Sequence, residues 1–260
     1  MAGQSARPAT EADKDARYRA PALDKGLDIL ELLSTQAGGL TRAEIVKAMG
    51  RGPSEVYRML ERLVARDYVS RSREGDRYTL SMKLFVLAHR HPPVRRLVQR
   101  ALPLMDAFAQ QAGQSCHLVV PDRDAATVVA HASSPGNWEY GIRIGSRIEL
   151  LTTGSGQMLL AFQDENARAE TLARWAGTRE SEAYARLEPV LAGYRDAGYR
   201  IGESQQIRGV DDITVPILSP DGHAIAVLTC AYIQRLDDRQ IDIRQALALL
   251  REIAEKLSLS

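Results

Sequence analysis

Residues 41 to 50, TRAEIVKAMG, constrain the fold more than any other stretch of the chain. Thr41 and Glu44 have the spacing at which a threonine hydroxyl and a glutamate carboxylate cap a helix start reciprocally. Gly50 stands where a left-handed residue closes the helix. The enclosed helix is short and sharply delimited, with Ile45, Val46 and Met49 on one side. Arg51-Gly52-Pro53 then makes a tight connection, and the stripe Val56, Leu60, Leu63 and Val64 predicts another helix from about Ser54 to Arg66.

Upstream, Leu23, Leu27 and Leu30 recur at helical spacing between Leu23 and Leu33, and Gln36-Ala37-Gly38-Gly39 stops that helix. Downstream, Tyr68 to Arg73 and Arg77 to Leu80 read as short strands around Glu74-Gly75-Asp76, whose glycine suits a hairpin turn. Helix, helix, turn, helix, hairpin is the order of a winged helix-turn-helix.

Seven arginines and no lysine lie between Arg51 and Arg77. On the third helix Ser54, Arg58 and Arg62 recur every four residues, so one face presents a hydroxyl and then guanidinium groups. Such a face fits a DNA major groove. Arg58 has the fork for guanine O6 and N7, Ser54 and the free N–H groups beside it suit a phosphate, and Tyr57 suits a phosphate or a thymine methyl. Glu55 would accept from cytosine N4 or orient Arg58. Arg71, Arg73 and Arg77 fall on the hairpin, where they would grip phosphates or a minor groove. Thr41, Arg42 and Arg51 complete the predicted contact set. The competing expectation is a salt-bridged surface in which Glu55, Glu61, Asp67, Glu74 and Asp76 neutralise these arginines.

The net charge of +1 hides an asymmetry: 19 basic and 13 acidic residues lie before residue 113 (+6), and 15 and 20 lie after it (−5). A polyanion would prefer the first part. Residues 1 to 20 mix both charges with small residues and lack an apolar core, so they read as a disordered arm and not an export signal. About 18 consecutive apolar residues occur nowhere, which predicts a cytoplasmic protein without a membrane span. Cys116 and Cys230 sit in apolar, strand-like runs and are expected as buried, reduced thiols.

Val94, Leu97, Ala101, Leu104 and Phe108 alternate in steps of three and four after Pro92-Pro93, predicting a connecting helix. The same pattern suits a helix that packs on its own domain. Beyond it SCHLVV, TVVAHAS and YGIRI read as strands, GQMLLAF and ETLARWA as helices. SEAYARLEPVLAGYRDAG reads as a long helix with Pro189 as a defect or as the start of a second segment. Tyr199 to Glu203, Ile213 to Leu218 and Ala224 to Tyr232 resume as strands, with Ser219-Pro220-Asp221-Gly222 as a turn, and Ile243, Leu247, Leu250 and Leu257 mark a closing amphipathic helix. The α+β pattern suits a mixed sheet with helices on its faces. The predicted divisions are an arm (1–20), a winged helix-turn-helix (21–82), a linker helix (83–112) and a second, mixed α/β domain (113–260).

Enzymatic patterns fit poorly. Ser155 has Thr153 and Gln157 where an esterase elbow needs glycines. Cys116 and His117, adjacent on a strand, point to opposite faces. His89 and His91 have no zinc-site spacing, and His117, His131 and His223 suit a pocket lining or ordinary packing. No cofactor or metal is expected. An enzyme built on a small-molecule-binding domain, or a protein-interaction adaptor, stands as the alternative function.

The segments ALDKGLDILELL, LTRAEIVKAMG, SEVYRMLERLVARDYV and DRYTLS, followed by IRIGSRIELLTTGSGQMLLAF, GYRIGESQQIRGVDDITVPILSPDG and AVLTCAY, resemble in order and spacing the IclR family of bacterial transcriptional regulators. The resemblance implies a GAF-like effector domain that binds an organic, aromatic or sugar acid, and dimers or dimers of dimers on palindromic operators. It implies an effector pocket formed by Gly154, Ser155 and Gly156, by the loop Val210-Asp211-Asp212, and by Thr229 and Ala231. Where many members carry a cysteine this chain has Asp212, and where serines are frequent it has Thr229 and Ala231. A ligand-facing aspartate repels a bare carboxylate unless protonated or paired. That leaves a polyhydroxylated ligand, an acid held at its other end by Arg143 or Arg208, or an Asp212 that only solvates a turn.

Overall fold

The computed structural model describes residues 20–73, 76–90, 92–136, 140–235 and 240–258. The chain divides into two compact units between residues 91 and 92.

The first unit runs α1 (Pro21–Ser34), β1 (Leu40–Thr41), α2 (Arg42–Met49), α3 (Pro53–Ala65), β2 (Val69–Arg71), β3 (Arg77–Leu80) and α4 (Lys83–His89). Thr41 and Glu44 form the reciprocal cap, and Gly50 closes α2 at φ 59°. Pro53 opens α3 at a position where its missing N–H goes unused. Strand order β1-β3-β2 gives a small antiparallel wing. Glu74 and Gly75 of the predicted hairpin turn, and all but the last residue of the predicted arm, lie outside the described residues.

Ile29, Leu33, Ile45, Val56, Leu60, Val69 and Tyr78 form the core of this unit. The predicted α1 stripe is therefore not the buried one: Leu23 and Leu27 are 61% and 48% exposed, while Ile29 and Leu33 face inward. The helix carries two apolar stripes, and the one reaching α2 and α3 wins the core. Gly39 is required by its surroundings, since at φ 66° an added Cβ would lie 2.6 Å from Tyr78 O and from Thr79 Cγ2.

The second unit runs α5 (Pro92–Ala112), β4 (Cys116–Asp122), β5 (Ala125–Ala132), β6 (Arg147–Ile148), α6 (Gly154–Ala161), α7 (Glu165–Trp175), α8 (Arg179–Ala197), β7 (Arg200–Glu203), β8 (Asp211–Leu218), β9 (Ala224–Tyr232) and α9 (Ile243–Ser258). The six strands lie in the order β6-β5-β4-β9-β8-β7. Every pairing is antiparallel, not mixed, because hairpins join β4 to β5 and β8 to β9 while the helical block carries the chain from one sheet edge to the other. α5 and α9 cover one face, with Met105, Phe108, Leu228 and Leu250 in the core between; Met158, Leu160, Tyr184 and Leu191 from α6 and α8 pack on the other.

Three sequence expectations change. The predicted linker span 83–112 holds two helices, α4 ending at His89 and α5 starting at Pro92, a residue type suited to a helix start because its missing N–H goes unused there. Ala101 and Phe108 of the predicted seam are buried in the second unit's own core, with Leu97 and Leu104 packed against it, so α5 is a packing helix there. YGIRI is not a strand: Tyr140 and Ile142 wall a cavity, Gly141 lies against the His131 ring, and the left-handed Gly145 turns the chain so that only Arg147 and Ile148 pair with β5. Pro189, by contrast, sits inside one continuous α8.

Candidate functional site

The first unit presents the predicted arginine face in part. Ser54, Arg58 and Arg62 are all exposed on α3, and Arg58, Arg62 and Arg73 have no ion-pair partner among the described residues. Tyr57, 43% exposed, lies under the Arg42 guanidinium at 5.3 Å, so a cation–π contact ties the start of α2 to α3. Arg62 borders an apolar groove between α1, α3 and α4, beside Leu23, Leu27, Leu63 and Leu87.

Other members of the predicted set have structural duties. Glu55 pairs with Lys25 of α1 at 3.0 Å, and this hydrogen bond and charge hold its carboxyl below the usual range. It therefore ties α3 to α1. Arg51 lies 3.7 Å from Asp28. Thr41 Oγ1 accepts from Glu44 N–H, and the Thr41 N–H donates to the Glu44 carboxylate at 2.7 Å. Arg77 Nη1 donates to Gly39 O at 2.9 Å, fastening β3 to the turn before β1, and Arg71 stacks over Tyr78 at 5.7 Å. Two of the wing arginines thus build the wing, and Arg73 is left at its edge.

In the second unit β4, β8, β9 and the start of α6 enclose a polar cavity walled by His117, Tyr140, Ser155, Asp212, Thr229 and Ala231 among others. Thr153 caps α6, accepting from Gly156 N–H at 3.0 Å, and Ser155 Oγ meets Thr229 Oγ1 at 2.8 Å. Of the predicted effector residues, Gly154, Ser155, Asp212, Thr229 and Ala231 line this cavity, while Gly156 and Val210 do not. Gly156 is a packing position, since a Cβ there would come within 2.3 to 2.6 Å of Glu149 O and of Leu150. Val210 is buried, and its carbonyl accepts from Ser204 N–H. Asp212 belongs to strand β8, opposite Gly202 and Ala231, and not to a loop. Arg143 and Arg208 are exposed and line no part of the cavity.

The sequence did not single out Arg200. It is 5% exposed, with Nη1 3.9 Å from Asp212 Oδ2 and its other hydrogens on Gly202 O, Glu203 O and the Tyr194 hydroxyl. Gly154 leaves room for it, as an added Cβ would approach Nη1 to 3.0 Å. Burial raises the Asp212 pKa, while Arg200 and the Ser204 hydroxyl oppose the rise. Burial, aided by His131, drives His117 down to about 4, so its imidazole is neutral at pH 7. His117 Nε2 and Thr214 Oγ1 are buried and unpartnered among the described residues. The space left inside, about 20 Å³, suffices for about one water.

Cys116 and Cys230 stand opposite each other on β4 and β9 as buried free thiols. Burial pushes Cys116 up to about 12 and raises Cys230 well above its ordinary value. Neither has the thiolate character a nucleophile needs. Cys116 packs in the α5–α9 core while His117 faces the cavity, so the pair is split across the sheet. Among the described residues no group of three metal-ligating side chains converges, and no helix is long and apolar enough to cross a membrane.

Comparison with known proteins supplies the family. Residues 22–73 match the IclR helix-turn-helix domain and residues 93–259 the C-terminal domain of the bacterial transcriptional regulator IclR. The HTH-type transcriptional regulator KdgR of Escherichia coli is 28% identical, over 83% of this chain and 83% of that protein. The HTH-type transcriptional regulator BhcR of Paracoccus denitrificans is 30% identical, over 79% and 75%. Among solved structures, an IclR homolog from Microbacterium hydrocarbonoxydans complexed with 4-hydroxybenzoate superimposes with a TM-score of 0.73 at 26% identity, covering 92% of this chain and 98% of that one. With both of its units matched, this chain belongs to the IclR family of bacterial transcriptional regulators.

Proposed function

We propose that this protein regulates transcription by binding a specific duplex through α3 and the wing, with an affinity set by a small molecule held in the second unit. The observation that carries the first half is Arg58: exposed on the helix after the turn, unpaired among the described residues, and flanked by Ser54 and the Arg42–Tyr57 pair. Arg58 reads a base, and Arg73 positions the wing on phosphates. Thr41, Arg51 and Arg77 support this face mainly by holding it in shape, and Arg62 lies at its margin.

The protein works as a homodimer on two half-sites. The apolar groove supports this, because Leu23, Leu27 and Leu87 leave 42 to 61% of their surface exposed around it, and exposed apolar patches of this kind mark association sites. A regulator of chromosomal genes acts in the cytoplasm, and the division into arm, winged domain, connecting segment and effector domain fits such a role. The inert thiols and the split Cys116–His117 pair support a binding role without catalysis.

The effector half rests on the small cavity lined by Ser155, Asp212 and Thr229: with about 20 Å³ inside, a ligand must displace its walls, and that movement is what the DNA-binding unit senses. A coupling of about 1 to 3 kcal/mol, or about five- to 150-fold in operator affinity, suffices. To test the DNA half, duplexes enriched from genomic fragments and random duplexes are titrated with Arg58→Ala and Arg73→Ala. Arg58→Ala should lose affinity on the enriched duplex and little on random DNA, while Arg73→Ala should weaken both and flatten the salt dependence. Equal loss on both duplexes for Arg58→Ala would remove its base-reading role.

A further inference from the structure

The polarity of the second-unit cavity narrows the ligand further, given the regulator reading above. Its walls set the hydrogen-bonding side chains of His117, Ser155, Asp212 and Thr229 among apolar surface from Ile142, Ile148 and Ala231. An aromatic acid needs a broad apolar slot for its ring, and the described residues around this cavity, with Asp212, His117 and Ser155 among them, form none. The end of the cavity beneath α6 is where helix N–H groups would ordinarily receive a ligand's carboxylate. That end already holds an anion. The Asp212 Cβ lies 3.4 Å from where a Gly154 Cβ would be, and the Asp212 carboxylate is paired with buried Arg200.

A second carboxylate there would meet Asp212 at close range in a desolvated space, with Arg200 already shared among carbonyls and Asp212. A ligand hydroxyl, by contrast, donates to Asp212 and needs no counter-charge. One further group awaits a partner: His117 Nε2, on a side chain 4% exposed that lines the cavity. Buried polar atoms without partners are costly, and a ligand that bonds them gains what the empty site loses. The Ser155–Thr229 hydroxyl pair adds a donor and an acceptor to the same wall.

We propose that the effector is a polyhydroxylated small molecule of the sugar-derived type, and that Asp212, positioned by Arg200, selects it by accepting from ligand hydroxyls. Asp212 is the specificity-determining residue and Arg200 a positioning residue. Any carboxylate on the ligand lies away from the α6 end, so it is not what this end of the cavity recognises.

The test uses the full chain without DNA, with binding read by thermal shift and calorimetry. The probes are the aldonates gluconate, ribonate and threonate, their matching alditols, and pyruvate and 4-hydroxybenzoate as acids lacking a polyol chain. At least one polyhydroxylated probe should bind in preference to pyruvate and 4-hydroxybenzoate. Asp212→Asn, nearly isosteric, should weaken it about tenfold or more through loss of a charged acceptor. Arg200→Lys should retain part of the binding that Arg200→Met loses. Binding of 4-hydroxybenzoate or pyruvate alone overturns the proposal, as does a failure of every polyhydroxylated probe or an unchanged affinity in Asp212→Asn. Thr229→Val serves as a second variant on a different strand, so a folding defect at residue 212 leaves the ligand class decidable. Because no DNA enters this experiment, its failure leaves the regulator assignment standing, whereas loss of sequence preference in the duplex titrations strikes that assignment alone.

Discussion

Acid should loosen the second unit through His117. Burial keeps this imidazole neutral down to about pH 4, whereas the unfolded chain takes up the proton at its ordinary value of 6.5. Between these two values the unfolded state holds more protons, so folding stability falls as the pH falls. At about 1.4 kcal/mol per pH unit the full loss is about 3 kcal/mol, and about 2 kcal/mol of it falls between pH 7 and pH 5. His131, its partner on the neighbouring strand β5, adds repulsion to the protonated form, while Asp212 works in the opposite sense, because burial raises its pKa and acid relieves its charge. Urea unfolding at pH 7 and pH 5 measures the effect, with tryptophan fluorescence as the probe, since Trp138 and Trp175 both belong to the second unit's sequence. His117→Gln removes the titration and keeps a polar side chain. The wild-type chain should lose about 2 kcal/mol more than the variant between the two pH values. Parallel losses would show that His117 is not the buried neutral group described here.

Gly156→Ala should destabilise the second unit by roughly 1 to 3 kcal/mol, since its Cβ meets fixed backbone within 2.3 to 2.6 Å; the same fluorescence titration checks it. Thr41→Val should lower the first unit's stability by about 1 kcal/mol through loss of the α2 cap, followed by circular dichroism. Arg77→Ala should both weaken DNA binding and destabilise the wing, because it loses the bond to Gly39 O, whereas Arg73→Ala should spare stability. Equal unfolding midpoints for the two arginine variants would contradict the division of the wing into building and contacting residues.

The parts of the fold that could be read in advance are those set by local rules. The Thr41–Glu44 cap, Gly50, the Pro53 start and the Ser219–Gly222 turn each follow from a backbone preference that acts within a few residues. Long-range competition decided the rest. α1 has two apolar stripes, and only the packing of α2 and α3 says that Ile29 and Leu33 take the inner place. YGIRI alternates like a strand, yet the His131 ring and the turn at Gly145 hold it as a cavity wall. The strand alternation that separates Cys116 from His117 also put His117 on the face of Thr229, its partner in register, so this lining residue was within reach of the sequence. Arg200 was not: nothing local distinguishes a buried arginine from an exposed one at the head of a strand.

Linkage between the effector cavity and DNA affinity can be read in one titration. A duplex enriched by the full-length protein from genomic fragments is titrated at fixed moderate salt, with and without a saturating polyhydroxylated ligand identified by thermal shift. Operator affinity should change about five- to 150-fold with the ligand, with little change on random duplex. Identical binding curves in both conditions, or no enriched duplex at all, would contradict this linkage.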